Sequence, residues 1–141
     1  MGDVYGPTKT NSRNEWGATI YKVWSGSTIA GYGITDVKEG SDQAVQNSVT
    51  TSLTVARIHT HTDDDINLLS FSGDPSRNAR DYLSDYYVPK TEGLNSYLIN
   101  AKGDIIVMTP DNYKDVYSAY NKNNNYKADY DYLLRYYGVK R

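Results

Sequence analysis

The chain has 141 residues, enough for one domain with its own core, and its 38% apolar content includes 15 tyrosines, whose rings can be buried while their hydroxyls stay wet. It contains no cysteine, which excludes a disulfide scaffold, a thiolate metal site and a cysteine nucleophile. A net charge of −2 with scattered Lys and Arg disfavours nucleic acid as a partner, and no apolar run approaches the roughly 20 residues of a membrane span, so a soluble chain without a membrane partner is expected. There is no signal-peptide pattern at the start, and Gly6 stands where a myristoylation signal needs serine or threonine.

Residues 1–13, rich in Gly, Pro, Ser, Thr and Asn, read as a loose arm. Trp16 to Trp24 alternates β-branched and aromatic residues with others and predicts a strand. Ser25-Gly26-Ser27 is a turn, and Thr28 to Thr35 its antiparallel partner, weakened by Gly31 and Gly33. Polar Asp36 to Asn47 predicts a long loop. Ser52 to His61 is the strongest predicted strand, and its alternation puts His59 and His61 on the face of Leu53, Val55 and Arg57. An acidic loop follows. Asp74-Pro75 then starts a predicted helix, with Asp at the N-cap and Pro at the first position, that runs to about Tyr87, where Val88-Pro89 ends it. Ser96 to Asn100 and Asp104 to Thr109 form a second predicted hairpin. The tail, residues 111–141, is helical, with Tyr113, Val116, Tyr117 and Tyr120 on one stripe and Tyr130, Leu133, Leu134 and Tyr137 on another, broken at Asn121 to Asn125. No internal repeat or linker divides the chain. The expected fold is a single α/β domain over 1–141, a mixed β-sheet flanked by helices.

His59-Thr60-His61 holds the only two histidines, at the end of that strand. Strand residues two apart project to one side, so both imidazoles can converge on one ion, and zinc suits imidazole and carboxylate ligands. A third ligand is expected from a carboxylate held in place. Asp74, after the Ser72-Gly73 turn, is the choice, with Asp63, Asp64 and Asp65 as alternatives; an N-cap alone also explains Asp74. A water activated by zinc needs a proton carrier. Glu15, at the head of the first strand and beside Trp16, is expected in the partly apolar setting in which carboxylates are tuned for proton transfer. Ser72, with Ser70 as second choice, offers a hydroxyl to the developing oxyanion, although serine in a loop is equally a turn residue.

Glutamate, then His-x-His, then serine closely followed by aspartate resembles the JAMM motif of the JAB/MPN metallopeptidases. Glu15-Trp16-Gly17-Ala18-Thr19-Ile20-Tyr21, Ile58-His59-Thr60-His61-Thr62 and Phe71-Ser72-Gly73-Asp74 are the stretches that carry the resemblance. The hairpin Ser96-Tyr97-Leu98-Ile99-Asn100 to Gly103-Asp104-Ile105-Ile106 is similar to that of JAB-like domains in bacterial polymorphic toxins. The likeness covers about Glu15 to Pro110 and implies a cytidine deaminase-like architecture with tyrosine-rich C-terminal helices. It also implies zinc on His59, His61 and Asp74, Glu15 as general acid/base and Ser72 at the oxyanion. The implied activity is hydrolysis of peptide or isopeptide bonds, with ubiquitin-like chains as one substrate class. For the toxin branch it further implies secretion or delivery as part of a larger bacterial protein, with a cognate immunity protein as partner. The spacing departs from the family's: Thr62 to Phe71 is long for the interval before the serine, and Gly73 alone is short for that after it. Two other classes compete. One is a histidine-metal nuclease using magnesium. The other is a non-catalytic module of the same fold, which generally lacks the ligands that are present here.

Overall fold

The computed structural model describes residues 15–40, 50–61, 85–100, 103–122 and 126–140, with side chains omitted at 35, 36, 120–122 and 126–130. The predicted segments Asp63 to Asp65, Ser70, Ser72 and Asp74, and with them most of the helix expected from Asp74, lie outside the described residues.

Among the described residues, five strands form one mixed sheet in the order β2-β1-β3-β4-β5. Strand β1 (Trp16–Ser25) turns at Gly26, whose φ of 62° is the left-handed conformation a two-residue hairpin needs, into β2 (Thr28–Glu39). Glycines do not break β2, because the Tyr21 ring lies directly over Gly33, where a Cβ would stand only 2.5 Å from it. The expected loop from Asp36 therefore starts later: β2 continues to Glu39, where Lys38 and Glu39 pair with Gly17 and Trp16. Backbone pairing with an existing strand has outweighed a polar local sequence.

Strand β3 (Thr54–Thr60) is central, antiparallel to β1 and parallel to β4 (Asn95–Ile99), and β4 forms the predicted hairpin with β5 (Ile105–Met108). Ser52 and Leu53, expected in β3, form a turn before it, and Leu53 is exposed. Covered by other groups on both faces, β3 buries every residue from Ala56 to Thr60. At Val88-Pro89, where the sequence predicts a helix end, the described chain is helical in another form. Val88–Glu92 is itself a π-helical turn, with Pro89 in its first positions, where a missing N–H costs no hydrogen bond, and Gly93 closing it at φ 69°.

Helices α1 (Tyr113–Lys122) and α2 (Tyr126–Tyr137) carry the expected stripes where side chains are described. Val116, Ala119 and Leu133 are buried with Tyr86, Leu98, Ile106 and Met108, and Tyr113, Tyr117, Leu134 and Tyr137 pack around them. By strand register, Leu98, Ile106 and Met108 share a sheet face with Thr19, Arg57 and His59. The opposite face carries Ala18, Ile58, Ile99 and Ile105, with Trp16, Ile20 and Tyr97 beside them. One face is thus divided: apolar under the helices at β4 and β5, and polar at β1 and β3. No described helix is long and apolar enough to cross a membrane.

Candidate metal centre

Alternation along β3 delivers the two imidazoles as the sequence predicts. His59 pairs with Gly17 of β1 and Leu98 of β4, and just past the strand the backbone N–H of His61 donates to the Ile99 carbonyl at 3.0 Å, extending the ladder one step. The two rings lie 5.4 Å apart between centroids at an interplanar angle of 55°, and both residues are buried, 9% and 5% exposed. They converge.

A carboxylate stands with them. His59 Nε2 and Asp85 Oδ1 are 3.4 Å apart, and donor atoms from His59, His61 and Asp85 all lie within 4.8 Å of one another. Two ligands each about 2.0–2.1 Å from one tetrahedral ion lie about 3.4 Å apart, so the His59–Asp85 spacing already suits a shared ion. Closing His61 onto the same point takes a side-chain adjustment. Two nitrogens and one carboxylate oxygen, with no sulfur, are a donor set that could hold a metal ion, and zinc is among the ions that take imidazole and carboxylate together. The residues fit the metal.

Local packing explains why Asp85 is there. Tyr86, the next residue, is 1% exposed and inserts into the core beneath α1, its ring edge-on to Tyr117 at 5.5 Å. Val88 and Pro89 are buried as well, so the segment is pinned from both core and turn.

Burial alone would lower the pKa of His59, but the negative charge of Asp85, its hydrogen bond and, more weakly, the charge of Glu15 outweigh that and hold the imidazole above its ordinary value. Glu15 is thus close enough to act on His59 electrostatically. It precedes Gly17 by two residues, and Gly17 faces His59 across the β1–β3 pair. The Trp16 ring packs with the apolar cluster on the other face of the sheet, and Glu15, just before β1, is half-buried.

The structure therefore brings together Glu15, His59 and His61 from the sequence-predicted set and adds Asp85. Asp74 and Ser72 lie outside the described residues. The available signal for Asp85 was its place in the last turn of the predicted helix, where a negative charge opposes the helix dipole and calls for another reason to be there. No model of a known protein family, no curated protein and no solved structure matches the chain.

Proposed function

We propose that this chain is a zinc-dependent peptidase or isopeptidase of JAB/MPN type, with zinc held by His59, His61 and Asp85 and with Glu15 as the proton carrier. The observation that carries the reading is the convergence of the three donor groups within 4.8 Å, on the sheet face where Glu15 acts on His59. Bound zinc supplies Lewis acidity and makes a water acidic enough to yield its proton near neutral pH. With the metal held there, Glu15 would be the carboxylate that accepts a proton from water and returns it to the departing amine, the part a carboxylate plays best when its position is fixed. The hydroxyl of Ser72, or of Ser70, steadies the oxyanion on the substrate, a role supported by the motif alone. Delivery as the toxin domain of a larger bacterial protein, countered by an immunity protein, rests on the same resemblance.

Two carboxylates compete for the third position, Asp85 by geometry and Asp74 by motif. Asp85→Asn and Asp74→Asn, assayed side by side for zinc content, decide between them, and the proposal expects loss in the first. The mechanism is tested by Glu15→Gln against quenched peptide mixtures and isopeptide-linked ubiquitin chains. The variant should keep zinc and lose hydrolysis by roughly 10²–10⁴-fold, as removal of a general acid/base does. Full activity in that variant would remove Glu15 from the mechanism. Chelator-sensitive cleavage of DNA or RNA without peptidase activity would transfer the site to the nuclease class.

A further inference from the structure

Arg57 stands two residues before His59 on the same strand face and is 2% exposed. Its Nη1 donates to Thr19 Oγ1 at 2.7 Å, and its Nη2 donates to Thr50 Oγ1 at 2.7 Å and to Glu92 Oε2 at 2.9 Å. Thr50 also donates its hydroxyl to Glu92. The guanidinium thus joins β1, the approach to β3 and the last residue of the π-helical turn.

Glu92 belongs to the segment that carries Asp85. Between residues 85 and 92, two charged contacts fasten that segment to one face of β3: Asp85 to His59 at 3.4 Å and Glu92 to Arg57 at 2.9 Å. Tyr86 and Val88, between the two fastenings, are buried. A segment held at both ends against one strand has little freedom to slide along it.

Stability alone is a poor reason for such a pair. Desolvating two charges costs about as much as their attraction returns, and apolar replacements are often neutral or better. The pair is also incompletely satisfied, since Arg57 Nε is buried without a hydrogen-bond partner among the described residues. What the pair does supply is direction and register: a forked, rigid donor on the histidine strand and an acceptor on the carboxylate segment.

We infer that Arg57 and Glu92 are positioning residues of the metal centre, setting where Asp85 lies relative to His59 and His61. The inference rests on the zinc reading above, with Asp85 as ligand. Groups that orient a ligand without touching the metal typically change its affinity by roughly 10–100-fold.

The test measures zinc affinity by competition with a chromophoric chelator, and the visible spectrum of the cobalt-substituted full chain, which reports ligand number and geometry. Four variants are compared with the unaltered protein: Glu92→Gln, the apolar pair Arg57→Met with Glu92→Met, and Asp85→Asn with and without Glu92→Gln. Glu92→Gln and the apolar pair should each bind zinc roughly 10–100-fold more weakly, with an altered cobalt spectrum. Once Asp85 has been replaced, Glu92→Gln should weaken binding no further, because the positioning then has no object. The apolar pair keeps the test open if the single change leaves a buried arginine too costly to fold around. Affinity within about twofold and an unchanged cobalt spectrum in the apolar pair would overturn the inference, as would an undiminished effect of Glu92→Gln in the absence of Asp85. Failure of the unaltered protein to bind zinc would overturn the zinc reading itself, and zinc lost only on replacing Asp74 would overturn the choice of Asp85. The three failures are distinguishable.

Discussion

His59 is subject to two opposed influences, burial that disfavours its charge and the carboxylates Asp85 and Glu15 that favour it, and the carboxylates prevail. The sign of the resulting pH dependence follows. A histidine whose folded pKa exceeds its unfolded value of about 6.5 contributes stability that is fully present below that value and lost as pH rises through the raised folded pKa. Metal-free protein should therefore lose thermal stability as pH climbs above about 6.5, and Asp85→Asn should flatten that slope in a melting series. Zinc reverses the sense, because it needs the neutral imidazole: affinity should fall as pH drops through the same pKa, as titrations at several pH values will show. The histidine pair was legible in the sequence because residues two apart on a strand need no long-range information to share a face. Asp85 was marked only by its unfavourable place in the last turn of the predicted helix, and that it approaches His59 is a tertiary fact that no local pattern encodes.

Among elements, β3 does most to define the site. Its parallel partner β4 and antiparallel partner β1 clamp it on both sides, which fixes the directions of Arg57, His59 and His61 together. Its identity and register were readable from alternating residues and β-branching, and so were both hairpins and the helical stripes ending in Leu133 and Tyr137. The end of β2 and the turn at Val88–Glu92 were misjudged for one reason: composition said loop or stop, while backbone pairing and core burial said otherwise. The end of α2 provides a direct check on element packing. Gly138 donates its N–H to the Leu134 carbonyl at 3.1 Å and bridges to Ile106, and a Cβ there would stand 2.1 Å from that carbonyl oxygen. Gly138→Ala should therefore destabilise the fold by about 1–3 kcal/mol in denaturant unfolding, with zinc affinity at the distant site unchanged once the protein is folded. A neutral result would mean that the backbone at Gly138 shifts freely enough to relieve its contact with the Leu134 carbonyl.

Across the whole molecule, the two sheet faces divide the work. One is apolar around Ile58 and Ile99, whereas the other is apolar only beneath the helices and leaves the β1–β3 half to Thr19, Arg57 and the histidines. The site thus lies at the margin of a packed core: Tyr86 and Tyr117 stiffen one side of it and the strand ladder the other. Its three candidate ligands come from the end of β3 and the residue just past it, and from a segment beyond residue 84, so a bound ion would cross-link parts of the chain that the unfolded state leaves apart. Zinc at 100 times its dissociation constant should stabilise the protein by about 2.7 kcal/mol, and chelator should lower the melting temperature accordingly. The most direct measurement is the zinc content of protein purified without chelator or a nickel-binding tag, set beside His59→Ala and His61→Ala. About one zinc per chain in the unaltered protein, and essentially none in either variant, is the expected result. An unaltered chain that holds no zinc at neutral pH, or variants that hold as much as it does, would contradict the account.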